Sequence, residues 1–461
     1  MLSESLVSDT LEAALSTGGD FAEVFAEERT STGAVTLNGA VERASWSAIR
    51  GLGIRVYSGF GAVYAYTNDL SRESLVKMAK EASIAAGEKK ETGFSGSFER
   101  LKFSGLHPIE VYPAGKSKRE YAERLRLAYE AAKGVSALVT EVGASYGSYT
   151  QNVLIANSDG LWAEDERTRT RVIVEAIATN AGEKQVSTRS PGAHKGLEFF
   201  GEIDIEEMAR GAAESACRML GAQLCPAGQM PVLIDNAFGG VIFHEACGHS
   251  LEATLVARNA SVFSGKLGTR IASDIVTAID DGTIPNAWGS LNIDDEGTKT
   301  RKNVLIENGI LKSYMIDKLN ARRMGLAPTG SSRRESYEYA PTSRMTNTYI
   351  APGTDDINEM IASTEYGLYC KKMGGGSVQP STGDFNFAVL EAYMIRGGKI
   401  SEPVRGATLI GKGSEVLLDI DRIAGNLALG EGMCGSLSGA VPTCVGQPMI
   451  RVKKMTVGGR R

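Results

Sequence analysis

The sequence has 461 residues, with 50 basic and 55 acidic side chains and a formal net charge of −5. No basic run could follow a line of phosphates, which argues against nucleic-acid binding, and no apolar run approaches the ~20 residues that cross a bilayer. Residues 1–19 lack the basic and apolar regions of a secretory signal, and the six cysteines show no paired framework. We therefore expect a soluble, cytoplasmic protein with no membrane partner.

The first 225 residues predict two successive units, each with a helix, several short strands and a second helix. An apolar periodicity predicts a helix that ends at Gly18-Gly19, and Asp204 with Glu207 forms a capping pair for a helix over 204–220. Other helices are expected over 71–87 and 118–133, and a surface loop over 88–102. The strand candidates are residues 22–27, 35–37, 53–57, 62–66, 137–144, 153–156, 161–169 and 172–179.

From residue 226 the chain becomes rich in glycine and strand-like runs. Residues 290–316 alternate in polarity around an Asn308-Gly309 hairpin signal, and Gly397-Gly398 marks a second hairpin. Helices are predicted over 236–256, 318–324 and 355–363. The fold class is therefore α+β. We expect an N-terminal α+β domain over 1–225 with repeated helix–β-meander–helix units, and a mostly antiparallel β domain over 226–461.

Two of the four histidines lie in one motif, His244-Glu-Ala-Cys-Gly-His249. Paired imidazoles with an adjacent carboxylate are typical of metalloproteases, where two ligands and a general base share a helix. Residues five apart diverge by roughly 140° on a regular helix, so both rings could not bind one ion. A single π-type turn would bring them together, and Gly248 would tolerate it. The alternative is two unrelated histidines, one buried and one exposed.

A catalytic zinc needs three protein ligands and an open position for water. Candidates for the third ligand are Cys247 inside the motif, Glu252 one turn further, and the distant Cys434 and Cys444. Cys434 lies in a glycine-rich stretch that predicts a sharp bend. The residue pattern alone does not choose between Cys434 and Cys247. The cysteines outside this group of candidates, at 217, 225 and 370, are typical of small buried thiols.

Other candidates favour structural roles. Residues 406–413 nearly form a P-loop, but Gly413 replaces the hydroxyl that binds magnesium. Residues 374–384 suit a surface loop better than a phosphate cradle or a mobile lid. The arginines at 333, 334 and 344 could hold a peptide carboxylate, although surface ion pairs are the simpler interpretation. We assign no role to His107 or His194.

Several separated blocks give the chain a family resemblance. The HExxxH motif at 244–249, Asp294-Asp-Glu-Gly297, Leu305-Ile-Glu-Asn-Gly309, Arg344-Met-Thr-Asn-Thr348, Gly383-Asp-Phe385 and Gly432-Met-Cys-Gly435 occur in this order. Together they resemble the TldD/PmbA family, and specifically its TldD branch. The resemblance extends over nearly the whole chain, with the N-terminal half matched by layout more than by motif.

This resemblance implies a zinc-dependent metallopeptidase that acts on unfolded or extended peptides. It implies that His244, His249 and Cys434 bind one zinc per active subunit and that Glu245 is the general base. It also implies a dimer, either a homodimer or a heterodimer with a PmbA/TldE-like subunit. The resemblance implies no functional role for Cys247. Iron or manganese stays an alternative to zinc.

A different class of function is a non-enzymatic, protein-binding modulator on the same fold, in line with the family's older label as a DNA gyrase modulator. The intact Glu245 argues against it, because a purely structural zinc needs no base and fills its fourth position with a protein ligand.

Overall fold

The computed structural model describes residues 2–87, 94, 96–116 and 118–459. It is 22% helix and 45% strand, in agreement with the mixed class that the sequence predicts. The helices are α1 (Glu4–Ala14), α2 (Arg72–Ala86), α3 (Lys118–Lys133), α4 (Ile205–Leu220), α5 (Val241–Phe243), α6 (Ala253–Val256), α7 (Lys318–Met324), α8 (Ile357–Ala362) and α9 (Gly413–Val416). Part of the predicted loop over 88–102 lies outside the described residues.

The strands of the N-terminal half form one eight-stranded sheet. Its main path runs β3–β2–β1–β5–β6–β4, and β7 and β8 also pair with β6. The strands are β1 (Phe21–Leu37), β2 (Ala40–Ser58), β3 (Gly61–Thr67), β4 (Glu99–Arg100), β5 (Val139–Asn157), β6 (Leu161–Asn180), β7 (Glu183–Arg189) and β8 (Gly192–Ala193). Along the chain, α1, three strands and α2 are thus followed, after the short β4, by α3, four strands (β5 to β8) and α4.

The N-terminal strands are longer than the sequence predicts. Strand β1 alone contains two of the predicted strands, and β5 and β6 likewise each contain two. The sequence pattern predicted shorter strands because long sections of these strands lie outside the core. Residues 40–48 of β2, for example, are all exposed, so no buried face imposes alternating polarity there. Backbone pairing continues where the hydrophobic pattern stops, with β1 and β2 in register over almost their full length.

Helices α2, α3 and α4 agree closely with their predictions, whereas α1 ends at Ala14, before the predicted end at Gly18-Gly19. The side chain of Asp204 accepts a hydrogen bond from the backbone N–H of Glu207, as the capping pair requires. Helices α1 and α2 pack together in one apolar core, and α3 and α4 in another. No helix in the described ranges is both long and apolar enough for a bilayer span.

The C-terminal half contains an eight-stranded and a six-stranded sheet. The first runs β17–β10–β24–β20–β18–β19–β9, with β21 beside β24, and the second runs β13–β12–β11–β16–β23–β22. Strands β14 and β15 form a short pair. The strands are β9 (Gln223–Leu224), β10 (Gly228–Ile234), β11 (Ala278–Asp281), β12 (Lys302–Glu307), β13 (Ile310–Leu311), β14 (Ser332–Arg333), β15 (Thr342–Ser343), β16 (Asn347–Ile350), β17 (Tyr366–Gln379), β18 (Asp384–Arg396), β19 (Lys399–Arg405), β20 (Thr408–Lys412), β21 (Ile420–Ile423), β22 (Ala428–Ser436), β23 (Gly439–Gln447) and β24 (Ile450–Gly458).

Both predicted hairpins are confirmed. Asn308 and Gly309 have φ of 48° and 80° and join β12 to β13, while Gly397 and Gly398 join β18 to β19 with φ of 55° and 69°. These left-handed conformations match the twist of the flanking strands. The alternation before residue 302 was misleading, since residues 290–301 form irregular turns. A large apolar core lies between the sheets and the motif segment, and it includes Phe243 and Cys247.

Candidate metal centre and active site

The motif segment is a series of short helical pieces. After a 3-10 turn over Ala237–Gly240 and α5, the chain forms a π-helical turn over His244–Gly248 and a second 3-10 turn over His249–Leu251. The predicted π turn is therefore confirmed. The continuous helix over 236–256 is wrong, because Glu252 is extended, with φ of −74° and ψ of 126°, and separates the motif from α6.

Close backbone packing surrounds the π turn. A Cβ at Gly413 would lie 2.0 Å from the carbonyl oxygen of Ala246, and one at Gly248 would lie 2.2 Å from the Sδ atom of Met345. Gly240 is pressed in the same way against the backbone of Gly446. Glycine is required here for close approach. Gly413 thus supports the motif from the segment that resembles a P-loop.

Cys434 reaches the two motif imidazoles from the opposite side. Its Sγ lies 3.2 Å from Nε2 of His244 and 3.3 Å from Nε2 of His249. All three donor atoms lie within 4.8 Å of one another. The predicted bend at Cys434 is wrong, because the residue lies within β22, where it pairs with Val441 of β23. A strand holds the thiol more rigidly than a bend would.

The donor set fits a zinc ion. Tetrahedral zinc with ordinary Zn–S and Zn–N bonds separates sulfur from nitrogen by about 3.5 Å, close to the two distances observed. Burial opposes ionisation of Cys434, but the two imidazoles outweigh it and lower the pKa of the thiol to about 3. The thiolate, which is the form that binds metals, is therefore favoured at neutral pH.

Glu252 and Arg344 contact residues of this donor set. Nδ1 of His249 lies 3.1 Å from Oε1 of Glu252, so its Nε2 faces Cys434. Such carboxylate–histidine contacts orient metal ligands. The fully buried Arg344 lies 3.9 Å from Glu252 and also donates to the backbone carbonyl of Cys434. Nδ1 of His244, in contrast, is buried with no partner among the described residues.

Glu245 and the donor set open into one cavity of about 540 Å³. The carboxylate of Glu245 is partly exposed, and its Oε2 lies 3.7 Å from Nε2 of His249. The cavity is lined on one side by 432–436 of β22 and the following Leu437, and on another by 376–378 and Pro380. It is large enough for a segment of peptide. The arrangement can therefore hold a metal, a water molecule and a base beside a polymeric ligand.

The alternative third ligands lie elsewhere. Cys247 points into the apolar core, where its Sγ lies 3.9 Å from the carbonyl oxygen of Gly413, and burial raises its pKa. Cys444 lies on β23, and burial raises its pKa to about 12. Glu252 contacts a motif histidine and lies outside the convergent group. The structure thus brings together the residues that the resemblance implies.

Two interpretations of loops need correction. The arginines at 333, 334 and 344 are buried, with exposures of 2%, 5% and 0%, and do not form surface ion pairs. The proposed surface loop over 374–384 is the tip of the β17–β18 hairpin and borders the cavity. Sequence reasoning named Arg344 but missed its burial and its contact with Glu252, because nothing local shows which arginine will be buried; its place in the family block Arg344-Met-Thr-Asn-Thr348 was the only signal.

His107 and His194 lie apart from the donor set. Their rings stack with centroids 4.4 Å apart. Nδ1 of His107 accepts a hydrogen bond from the N–H of Asn286, and Nδ1 of His194 lies 3.2 Å from the carbonyl of Ser290. Burial and the nearby Arg169 lower the pKa of His107 to about 4. Burial and Arg169 also lower the pKa of His194, so both rings are neutral at pH 7.

Three domain models of one family match the chain. They are described as the PmbA/TldA metallopeptidase domain 1 over residues 22–86, the central domain over 107–220 and the C-terminal domain over 227–459. The chain belongs to the TldD/PmbA family. This metallopeptidase family was the one expected from the motif blocks.

Relatives of this TldD/PmbA member carry metalloprotease names. The chain is 38% identical over 452 residues to a "Metalloprotease TldD homolog" of Haemophilus influenzae, covering 95% of this chain and 93% of the relative. A protein of the same name from Buchnera aphidicola is 35% identical, with the same coverage. A "Zinc metalloprotease TldD homolog" of Saccharolobus solfataricus is 33% identical over 262 residues, 57% of this chain and 58% of the relative.

Solved structures share the fold of this TldD/PmbA chain. A putative modulator of DNA gyrase from Bacteroides thetaiotaomicron superposes with a TM-score of 0.78 at 20% identity and covers 99% of both chains. TldE from Thermococcus kodakarensis has the same TM-score at 18% identity, covering 98% of this chain and 100% of TldE. At these identities the likeness concerns the fold alone.

Proposed function

We propose that this TldD/PmbA-family chain is a zinc-dependent metallopeptidase that hydrolyses unfolded or extended peptides. The observation that carries the proposal is the convergence of His244, His249 and Cys434 beside Glu245 in one open cavity. Three protein ligands and free space for water are the pattern of a catalytic zinc, whereas structural zinc is enclosed by four protein ligands. The zinc in the name of one relative supports the choice of metal.

The chemistry follows from the positions of the side chains. His244, His249 and Cys434 would hold the metal, with Glu252 orienting His249. Bound zinc would acidify a water molecule and polarise the scissile carbonyl. Glu245 accepts the proton of the attacking water and delivers it to the leaving amine, as a general base and then a general acid. Its partial exposure in the cavity suits this exchange of protons.

An extended peptide fits the walls of the cavity. Strand β22 is the end strand of its sheet, and within the described residues it pairs only with β23. A substrate strand lying beside β22 could use main-chain hydrogen bonds. This mode of binding would give modest selectivity for substrate side chains, because the backbone is common to all peptides.

The chain is proposed to act in the cytoplasm as a dimer, either with itself or with a PmbA/TldE-like subunit. All six cysteines are free thiols, which suits a reducing compartment. The fold shared with a TldE protein supports a sister subunit of similar architecture.

Replacing Glu245 with glutamine tests the hydrolase. We expect hydrolysis of an unfolded peptide to fall by at least about 100-fold, because general acid–base catalysis contributes about 10²–10⁴-fold. Metal content should be unchanged, because the donor set does not include Glu245. Peptide cleavage is followed by mass spectrometry, and metal by elemental analysis of the purified chain, with and without a co-expressed TldE-like subunit.

A chelator should abolish cleavage by the wild-type protein, and added zinc should restore it. Full activity of the glutamine variant would remove Glu245 from the mechanism. Full activity after complete removal of metal would exclude a metallopeptidase.

The second candidate function is a non-enzymatic modulator that binds another protein. Solved neighbours described as putative modulators of DNA gyrase favour its consideration. Under this alternative, the wild-type protein and the Glu245→Gln variant would be equally inert toward peptides, with or without the sister subunit. They would also bind a protein partner equally well in the presence of chelator.

A further inference from the structure

A second cavity, of about 170 Å³, lies behind the strand pair that carries Cys434. In this β22–β23 ribbon, Cys434 pairs with Val441, while Met433 pairs with Pro442 and Gly435 with Ala440. Successive side chains alternate between faces, so Met433, Ala440 and Pro442 lie on the face away from Cys434. These three residues form one wall of the second cavity.

Arginines dominate the other walls. Five of them line the cavity, against two acidic side chains, Asp295 and Glu335. The arginines are Arg29, Arg167, Arg169, Arg333 and Arg334. They come from β1 and β6 of the N-terminal sheet and from the segment that contains β14. The cavity therefore lies where the two halves of the chain meet.

Three of the five arginines have acidic partners. Arg167 lies 2.6 Å from Asp295 and 3.2 Å from Asp165. Arg29 lies 3.5 Å from Glu27, and Arg334 lies 3.4 Å from Glu23. The carboxylate of Glu335 accepts a hydrogen bond from the N–H of Ala440.

Arg169 and Arg333 have no such partner. Within the described residues, neither guanidinium has a carboxylate within ion-pair distance, although both residues are 2% exposed. Arg169 donates only to neutral oxygens, the carbonyls of Trp288 and Ser290 and the hydroxyl of Tyr149. Arg333 donates a single hydrogen bond, at 2.7 Å, to the carbonyl of Met345, out of the five N–H groups that an arginine carries.

The electrostatic surroundings agree with this lack of compensation. Burial and the charge of Arg169 lower the pKa of Arg333 to about 9, and the charge of Asp295 opposes this shift only in part. The buried Asp280 interacts with the charge of Arg333, but it accepts its hydrogen bonds from Thr346 and Thr348 and not from Arg333. Buried charges in proteins are paired or otherwise compensated, and guanidinium groups match planar or tetrahedral oxyanions through paired hydrogen bonds.

We propose that Arg169 and Arg333 form a binding site for a small oxyanion, a phosphate or a carboxylate, on the face of the β22–β23 ribbon opposite Cys434. The cavity has room for one such group. The anion is either free in solution or carried by the C-terminus of a peptide, and Met433, which borders both cavities, lies between the two sites. Binding requires neither the metal nor peptide hydrolysis.

Calorimetry on chelator-treated, full-length Glu245→Gln protein tests the site independently of catalysis. The probes are inorganic phosphate and an N-acetylated peptide, used with a free C-terminal carboxylate and as its amide. In this background, Arg333→Met and Arg169→Met should each weaken binding at least about tenfold, as expected for loss of charged hydrogen bonds. The matched control is Arg396→Met, which removes an exposed arginine paired with Glu402 and should change affinity less than about twofold.

The two probes distinguish the source of the anion. Binding of phosphate that is sensitive to Arg333 supports a free anion. A peptide carboxylate is supported if phosphate does not bind and the peptide with a free C-terminal carboxylate does. That binding should be lost in the peptide amide and in the Arg333→Met variant. Amide hydrogen exchange on the folded parent protein gives a second measurement that needs no arginine variant: the bound anion should slow exchange over residues 428–447. The proposal is overturned if neither probe binds, if the three arginine variants behave alike, or if exchange in that ribbon is unchanged.

Discussion

Two cysteines near the motif differ in their surroundings more than in their local sequence. Cys434 lies between two imidazoles, whereas Cys247 lies in an apolar core. An imidazolium stabilises a thiolate, and an apolar environment destabilises it. Of these two cysteines, only Cys434 is therefore in surroundings that favour the thiolate, the form that binds metals.

Alanine substitutions at these two cysteines give a matched comparison. Cys434→Ala should lose stoichiometric zinc, because only two imidazole ligands remain. Cys247→Ala should retain it and lose only about 1–2 kcal/mol of unfolding free energy through a small cavity. Elemental analysis and urea denaturation measure the two quantities. Equal metal content in both variants would contradict the assignment of Cys434 as a ligand.

Arg344 is expected to position the site without touching substrate. It connects Glu252, the partner of His249, with the backbone of Cys434. Loss of a group that supports metal ligands typically lowers metal affinity by about 10–100-fold. We expect Arg344→Met to fall in this range when zinc is titrated against a chromogenic chelator.

Arg422→Met is a suitable control for Arg344, because Arg422 is a partly exposed arginine paired with Asp355. Its zinc affinity should equal that of the wild type. An unchanged affinity in Arg344→Met as well would show that Glu252 and the strand hold the ligands without Arg344.

At the scale of elements, the π turn depends on a neighbouring segment. Gly413, at the start of α9, packs directly against the carbonyl of Ala246 in the middle of the turn. The contact is between two backbones, so no side chain can move away to make room. A regular helix would separate the two motif imidazoles, and this contact therefore acts on the metal site.

Gly413→Ala should disturb the metal site without altering a ligand. Overpacking in a tight core costs about 1–3 kcal/mol, and we expect both the free energy of unfolding and the zinc affinity to fall. Gly143→Ala is the control, since a Cβ at Gly143 meets nothing within 4 Å. Normal zinc affinity in Gly413→Ala would mean that the turn is set by its own sequence.

At the scale of the whole molecule, Glu391 connects the two halves. Its carboxylate on β18 accepts hydrogen bonds from Ser215 and Arg218 of α4 at 2.6 and 2.8 Å. Tyr393 and Lys371 donate to the same group. Burial opposes ionisation, but the hydrogen bonds from Ser215, Tyr393 and Lys371 and the charge of Lys371 outweigh it and lower the pKa of Glu391 to about 2.

Because this pKa is low, the contribution of Glu391 to the stability of the folded state decreases on acidification. A carboxyl with a folded pKa of about 2, below its ordinary 4.5, stabilises the folded state above pH 4.5 and loses that contribution as pH falls toward 2. Glu391→Ala should therefore cost about 1–3 kcal/mol at pH 7, with a smaller difference from the wild type at pH 3. Urea denaturation at both pH values measures it, and a difference that grows on acidification would contradict the assignment.

The sequence by itself determined the local features of this protein. Asn308-Gly309 and Gly397-Gly398 placed the two hairpins, because the left-handed backbone of such turns favours asparagine and glycine. Helix geometry predicted that His244 and His249, five residues apart, could bind one ion only through a π turn, and the structure has this turn. The family blocks named the donor set, and the family is confirmed. The boundary at residue 225 stays a prediction.

Only the tertiary structure decided which distant groups meet. It brought Cys434 of β22 to the imidazoles, although Cys247 was far closer in sequence, and it buried Arg333 and Arg344 where a surface loop was expected. Strand lengths were also decided at this level, because β1, β2, β5 and β6 continue by pairing with their neighbours beyond the core. Such contacts depend on sheet order and burial, and neither is encoded in the spacing of nearby residues.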